Sequence, residues 1–88
     1  MNTISEIVIN ESPTDVILWL VRRDGISHPR LDNLYNRNGW ANIGDCLQLI
    51  NLVKKMLEEG LIQDGGNGYI KGPNWREPEF LTQKKYEL

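Results

Sequence analysis

The chain has a single cysteine and a single histidine in 88 residues, and its basic residues do not outnumber its acidic ones. No apolar run comes near the ~20 residues needed to cross a bilayer. Each scarcity removes a class of function. Cys46 has no partner for an internal disulfide, which fits a reducing cytoplasm. His28 has no second histidine with which to share a metal, and its place in Ser27-His28-Pro29 is that of a residue at a helix start. The opening Met-Asn-Thr-Ile-Ser-Glu lacks the basic segment and continuous apolar run of a secretory signal, so a cytoplasmic protein without a membrane segment is expected. Glycines 65, 66 and 68 lead into a strand pattern rather than into a helix with Lys and Ser or Thr, which excludes a phosphate loop. The acidic pairs Glu58-Glu59 and Glu77/Glu79 lie on exposed segments and do not suggest converging catalytic carboxylates. No nucleophile with a base, no metal set, no cofactor loop and no internal repeat emerges. The expectation is a non-enzymatic protein with no cofactor.

What is present is the composition of one folded domain, 40% hydrophobic and 25% charged, with a formal charge of −2 and a pI near 5.3. That balance counts against binding nucleic acid by phosphate neutralisation alone. The charge is uneven. Met1 to Asp15 holds Glu6, Glu11 and Asp15 with no base, whereas Arg22 to Trp40 holds Arg22, Arg23, Arg30 and Arg37 against Asp24 and Asp32. A basic partner suits the first stretch and an acidic partner the second.

Helix signals punctuate the chain. Ser12-Pro13-Thr14-Asp15 places a serine cap, a proline whose missing N–H costs nothing there, and an acid in the first turn. The first helix is expected from Pro13 to about Arg23 and, being apolar nearly all round, should be buried. Ser27-His28-Pro29 starts a second, amphipathic helix that Asn38-Gly39 stops. Asn42 is expected to cap a third, with Asp45 favouring its N-terminal dipole. Its main apolar stripe is Ile43, Cys46, Leu47, Ile50, Val53 and Leu57, widened by Leu49, Leu52 and Met56, so Cys46 reads as a buried thiol. Gly60 suits the left-handed position that closes a helix. Leu61–Asp64 and Gly68–Lys71 then read as a hairpin, which needs the helices or a third strand from Ile7 to Ile9 or from Ile26 for support.

The order over Pro13 to Gly72, with Leu57-Glu58-Glu59-Gly60-Leu61-Ile62 leading from the long helix into a glycine-rich turn, resembles the winged helix-turn-helix superfamily. The resemblance implies a mainly α domain of three helices with a two- or three-stranded wing, residues 13–72. An N-terminal arm or short strand (1–12) precedes it, with a loose helical turn over Ile4 to Asn10 as the other reading of that stretch, and a tail (73–88) packs on the domain or on a partner. It also implies a DNA-binding transcriptional regulator acting as a homodimer. The third helix would then read bases with Gly44, Gln48, Asn51 and Lys55, and Arg30, Arg37 and Lys71 would hold phosphates. This chain departs from that pattern, since its third helix carries no arginine and Asp45 sits at the end that would approach DNA. A second reading stays open: an acidic protein-binding module, such as a toxin immunity protein or a phage-encoded inhibitor of a host factor. It would use Glu6, Glu11, Asp15, Asp45, Glu58 and Glu59 together with the tail aromatics Trp75 and Phe80.

Overall fold

The computed structural model describes residues 3–87. The outermost residues assigned to the N-terminal arm and to the tail, 1–2 and 88, lie outside them. The chain is mainly helical with one small antiparallel hairpin: α1 (Thr3–Asn10), α2 (Pro13–Leu20), α3 (His28–Arg37), α4 (Cys46–Glu58), β1 (Ile62–Asp64), β2 (Tyr69–Lys71) and α5 (Glu79–Thr82).

The stretch expected as an arm, a short strand or a loose helical turn is the full helix α1, and Ile7 and Val8 on its inner side are fully buried. Strand pairing of Ile7 to Ile9 is thereby excluded. α2 starts as its signals require: Asp15 donates its backbone N–H to Ser12 Oγ at 3.3 Å, with Pro13 in the first turn. Val16, Ile17, Leu18 and Trp19 are buried, as is Val21 just beyond. The helix ends at Leu20, short of the expected Arg23. The Arg22 side chain folds back, donates to the Trp19 carbonyl at 2.8 Å and lies over the Trp19 ring, so it closes the turn instead of extending it.

Gly25 then turns the chain at φ +82°, where a Cβ would collide with the Tyr69 carbonyl. That close approach lets Ile26 and Tyr69 exchange both backbone hydrogen bonds, at 3.0 and 2.8 Å. Ile26 thus adds a single bridge on the other side of Tyr69 from the hairpin ladder, whose own register pairs Ile62 with Lys71 and Asp64 with Tyr69. The turn is closed by Gly65 N–H to the Gly68 carbonyl and by Gly66 N–H to Asp64 Oδ1.

α3 is capped by Ser27, whose Oγ accepts from Arg30 N–H, and buries Leu31, Leu34 and Tyr35. The link to α4 is where the expected boundary shifts. Asn42 is not a helix cap: it has φ +66°, and its amide donates to the Ile9 carbonyl at 2.6 Å, at the C-terminal end of α1. Asparagine tolerates that left-handed backbone, which frees its side chain to tie a distant helix end. The cap of α4 is Asp45, accepting from Gln48 N–H at 2.9 Å. Trp40 also adopts a positive φ, at a cost of about 1–2 kcal/mol that is offset by stacking on Tyr35 and by a 2.8 Å bond from its N–H to the Tyr35 carbonyl.

At the other end of α4, Gly60 takes φ +76°, and Gly60 and Leu61 donate to the carbonyls of Leu57 and Met56, the paired bonds of a Schellman closure. The tail returns across the helices. Trp75 Nε1 donates to the Leu18 carbonyl at 2.9 Å, and Phe80, 2% exposed, meets Trp19 edge-on and then Tyr86. One core cluster thus joins α1, α2, α3, α4, β1 and α5. Within it the Trp19 indole N–H and the Tyr35 hydroxyl have no hydrogen-bond partner among the described residues, and burial pushes the Tyr35 phenol well above its usual range.

Candidate interaction surface

Three surfaces carry the residues singled out in the sequence. The first is the outer face of α3. Arg30, Asn33, Asn36 and Arg37 line one shallow depression of about 490 Å³, with the two arginines two turns apart on the helix. Both are exposed, and no acid shares that lining. Arg30 also borders a second depression beside the hairpin turn, with Asn67 and Gly68. At the same end of α3 the His28 ring and the Tyr69 hydroxyl are 2.9 Å apart, packed edge to face, so the histidine joins the helix start to the hairpin. Burial, followed by the charge of Asp64, raises the Tyr69 phenol.

The second surface is α4. Gln48, Asn51 and Lys55 are exposed along its polar face, and Gly44 lies before the helix in the linking loop at φ +99°. Lys55 borders a groove with Leu52, Glu59 and Arg76, whereas Arg30 and Arg37 sit together on the other depression. Lys71 is exposed, its ammonium 4.2 Å from the centre of the Trp75 ring, a cation–π contact that ties it to the tail.

The apolar side of α4 differs most from expectation. Leu49, Val53 and Met56 are buried and Leu52 and Leu57 half-buried, but Leu47 is 59% exposed, Ile50 37% exposed, and Cys46 is exposed rather than a buried thiol. At about 100° per residue the apolar positions cover more than half the helix circumference. The other elements cover only the part centred on Leu49, Val53 and Met56. The part running through Cys46, Leu47 and Ile50 is left in water. Helical periodicity correctly grouped these residues as apolar, yet placed them in the core. The signal that marks them as surface is the excess width of the arc, which exceeds what one small domain can cover.

The third set is acidic, and much of it is already engaged. Glu11 has only 12% of its side chain exposed and accepts from Lys85 Nζ at 2.8 Å and Tyr86 Oη at 2.6 Å. Burial raises its pKa, but those two hydrogen bonds and the Lys85 charge outweigh burial and hold it below the usual carboxylate value. Glu11 is therefore a clasp between the end of α1 and the tail. Asp15 lies 3.5 Å from Arg76, and Asp45 caps α4. Glu6 is half-buried, whereas Glu58, in the last turn of α4, and Glu59, its C-cap, are exposed. Phe80 is in the core and Trp75 is half-buried with its N–H occupied, so neither tail aromatic is a free anchor.

Among the described residues no three of His, Cys, Asp and Glu converge as a metal site, and no helix is long and apolar enough to cross a membrane. No family model, curated protein or solved structure matches the chain.

Proposed function

We propose that the chain is a small, non-enzymatic winged-helix module that binds protein through the outer side of α4. The fold half of this reading rests on the order of elements: α2, the single rung at Ile26, α3, α4, then β1 and β2 as the wing. The functional half rests on one observation, the exposure of Leu47 and Ile50 on the helix that a DNA-binding relative would lay in the major groove. Burying a leucine side chain is worth roughly 1.5–3 kcal/mol, and that gain remains available only to something that covers the helix. A base-reading helix gains instead from arginine, which α4 lacks, and is opposed by an acid such as Asp45 at its leading end. Glu58 and Glu59 add an acidic rim suited to a basic partner surface.

Affinity capture with wild-type protein and with Leu47→Glu, both checked for folding by circular dichroism, tests this. A partner retained by wild type and lost by the variant is the expected result. Equal retention by both baits rules out α4 as the binding side.

A second reading, transcriptional regulation through DNA, draws its support from the acid-free lining formed by Arg30, Asn33, Asn36 and Arg37. It expects duplex binding that weakens steeply with salt and is lost in Arg30→Ala/Arg37→Ala. Unshifted duplex at low salt removes it.

A further inference from the structure

The chain contains two Asn-Gly pairs, Asn38-Gly39 and Asn67-Gly68, and the fold treats them oppositely. A glycine after asparagine leaves the following backbone nitrogen uncrowded, so that nitrogen can reach the side-chain carbonyl carbon when both groups are free to move. At Asn38 neither group is free. Asn38 is the C-cap of α3, its Nδ2 donates to the Leu34 carbonyl at 2.8 Å, and the Gly39 N–H donates to the Asn36 carbonyl at 3.1 Å.

At Asn67 both groups are free. The side chain is exposed, and neither its amide nor the Gly68 N–H has a hydrogen-bond partner among the described residues. The bonds that close the turn, from Gly65 N–H to the Gly68 carbonyl and from Gly66 N–H to Asp64 Oδ1, leave those two groups untouched. Glycine at 68 is also required. A Cβ there would lie 2.6 Å from the Ile26 carbonyl oxygen, which the bridge between Ile26 and Tyr69 brings close. The reactive pair is thus built into the approach that joins the hairpin to the segment before α3.

We propose that Asn67 is a site of spontaneous deamidation, whose product sets a carboxylate at the edge of the depression that Arg30 lines. The Gly68 nitrogen bonds to Asn67 Cγ and closes a five-membered succinimide; the Cγ–Nδ2 bond breaks, and Nδ2 leaves as ammonia with the proton shed by the Gly68 nitrogen. Water then adds to either ring carbonyl and opens the ring to an aspartyl or an isoaspartyl residue. The isoaspartyl product runs the main chain through Cβ and so lengthens the turn. Either product lowers the formal charge by one unit from −2. Arg30 and Asp24 are the charged residues of that depression and balance each other, so a second acid makes it net acidic and repels an anionic partner. None of this depends on what covers α4.

The experiment is peptide mapping by mass spectrometry on the full chain, incubated folded at neutral and at mildly alkaline pH, with a parallel sample in urea. In the folded chain, position 67 should convert several-fold faster than position 38, and faster still at the higher pH because the attacking nitrogen must lose its proton. In urea the two pairs should react at similar rates. On isoelectric focusing an acidic band should grow with time. It should be absent in Asn67→Gln, whose longer side chain would have to close a six-membered ring, and should persist in Asn38→Gln. Equal conversion at 38 and 67 in the folded chain overturns the proposal, as does an acidic band that Asn67→Gln retains in full.

Discussion

The tail and α4 exchange the roles their sequences suggest. The tail, with Trp75, Phe80 and Tyr86 in a short stretch after Pro73, has the composition of a sticky end. In the structure Phe80 is fully packed against Trp19, Trp75 donates to Leu18, and Tyr86 bonds to Glu11. The long helix has the composition of a core element, yet it leaves Cys46, Leu47 and Ile50 outside. An aromatic near a chain end can fold back with few constraints and fill whatever space the helices leave. A residue on a rigid helix has its direction set by its neighbours on that helix. Once Leu49, Val53 and Met56 point inward, Leu47 has nowhere to go but out.

Mutations that treat the two regions alike should give opposite results. Phe80→Ala should cost the most, about 3–5 kcal/mol of unfolding free energy, read by urea denaturation. Leu47→Ala, which in a core would cost about 2–5 kcal/mol, should lie within about 0.5 kcal/mol of wild type. A large loss for Leu47→Ala, or a small one for Phe80→Ala, would reverse the assignment of which region is core.

A smaller effect separates the two candidate starts of α4. Asp45→Ala should cost about 1 kcal/mol through loss of the cap to Gln48. Asn42→Ala should instead loosen the joint between the link and α1, seen as faster amide exchange at the C-terminal end of α1, with α4 protected as before.

The smallest expected effect concerns the Glu11 clasp. Its carboxyl titrates below its ordinary 4.5 in the folded chain, so the unfolded chain takes up the proton first. The stabilisation is present in full above that ordinary value and is lost as pH falls through the lower folded value. Wild type should therefore lose stability between neutral and acid pH more steeply than Glu11→Gln, measured as the shift of the urea midpoint. Parallel pH profiles would show that the tail is held by Phe80 and Trp75 alone.

Signals in the sequence specify structure directly where the physics is local. Ser12 and Ser27 cap the helices they precede, Gly60 closes α4, and the glycines after Asp64 form the hairpin turn. The start of α4 is not set locally: Asn42 and Asp45 are both good caps, and only a distant helix end, the Ile9 carbonyl, claims Asn42. Arg30, Arg37, Gln48, Asn51 and Lys55 were legible as surface residues, since polar faces of amphipathic helices rarely point elsewhere. Phe80 and Glu11 were not legible as internal groups, because their partners Trp19, Lys85 and Tyr86 lie 61 to 75 residues away in sequence.

By itself, then, the amino-acid sequence determined where α2 and α3 begin and where α4 stops, which positions are apolar, and that the chain makes one small mainly helical domain with a hairpin. Those properties follow from capping, glycine conformation and side-chain period, all set within a few residues. Which part of α4's apolar arc meets the core was decided by the tertiary structure alone. The period fixes the directions of side chains around one helix, but the number and placement of the elements packed against it determine how much of that circumference is covered.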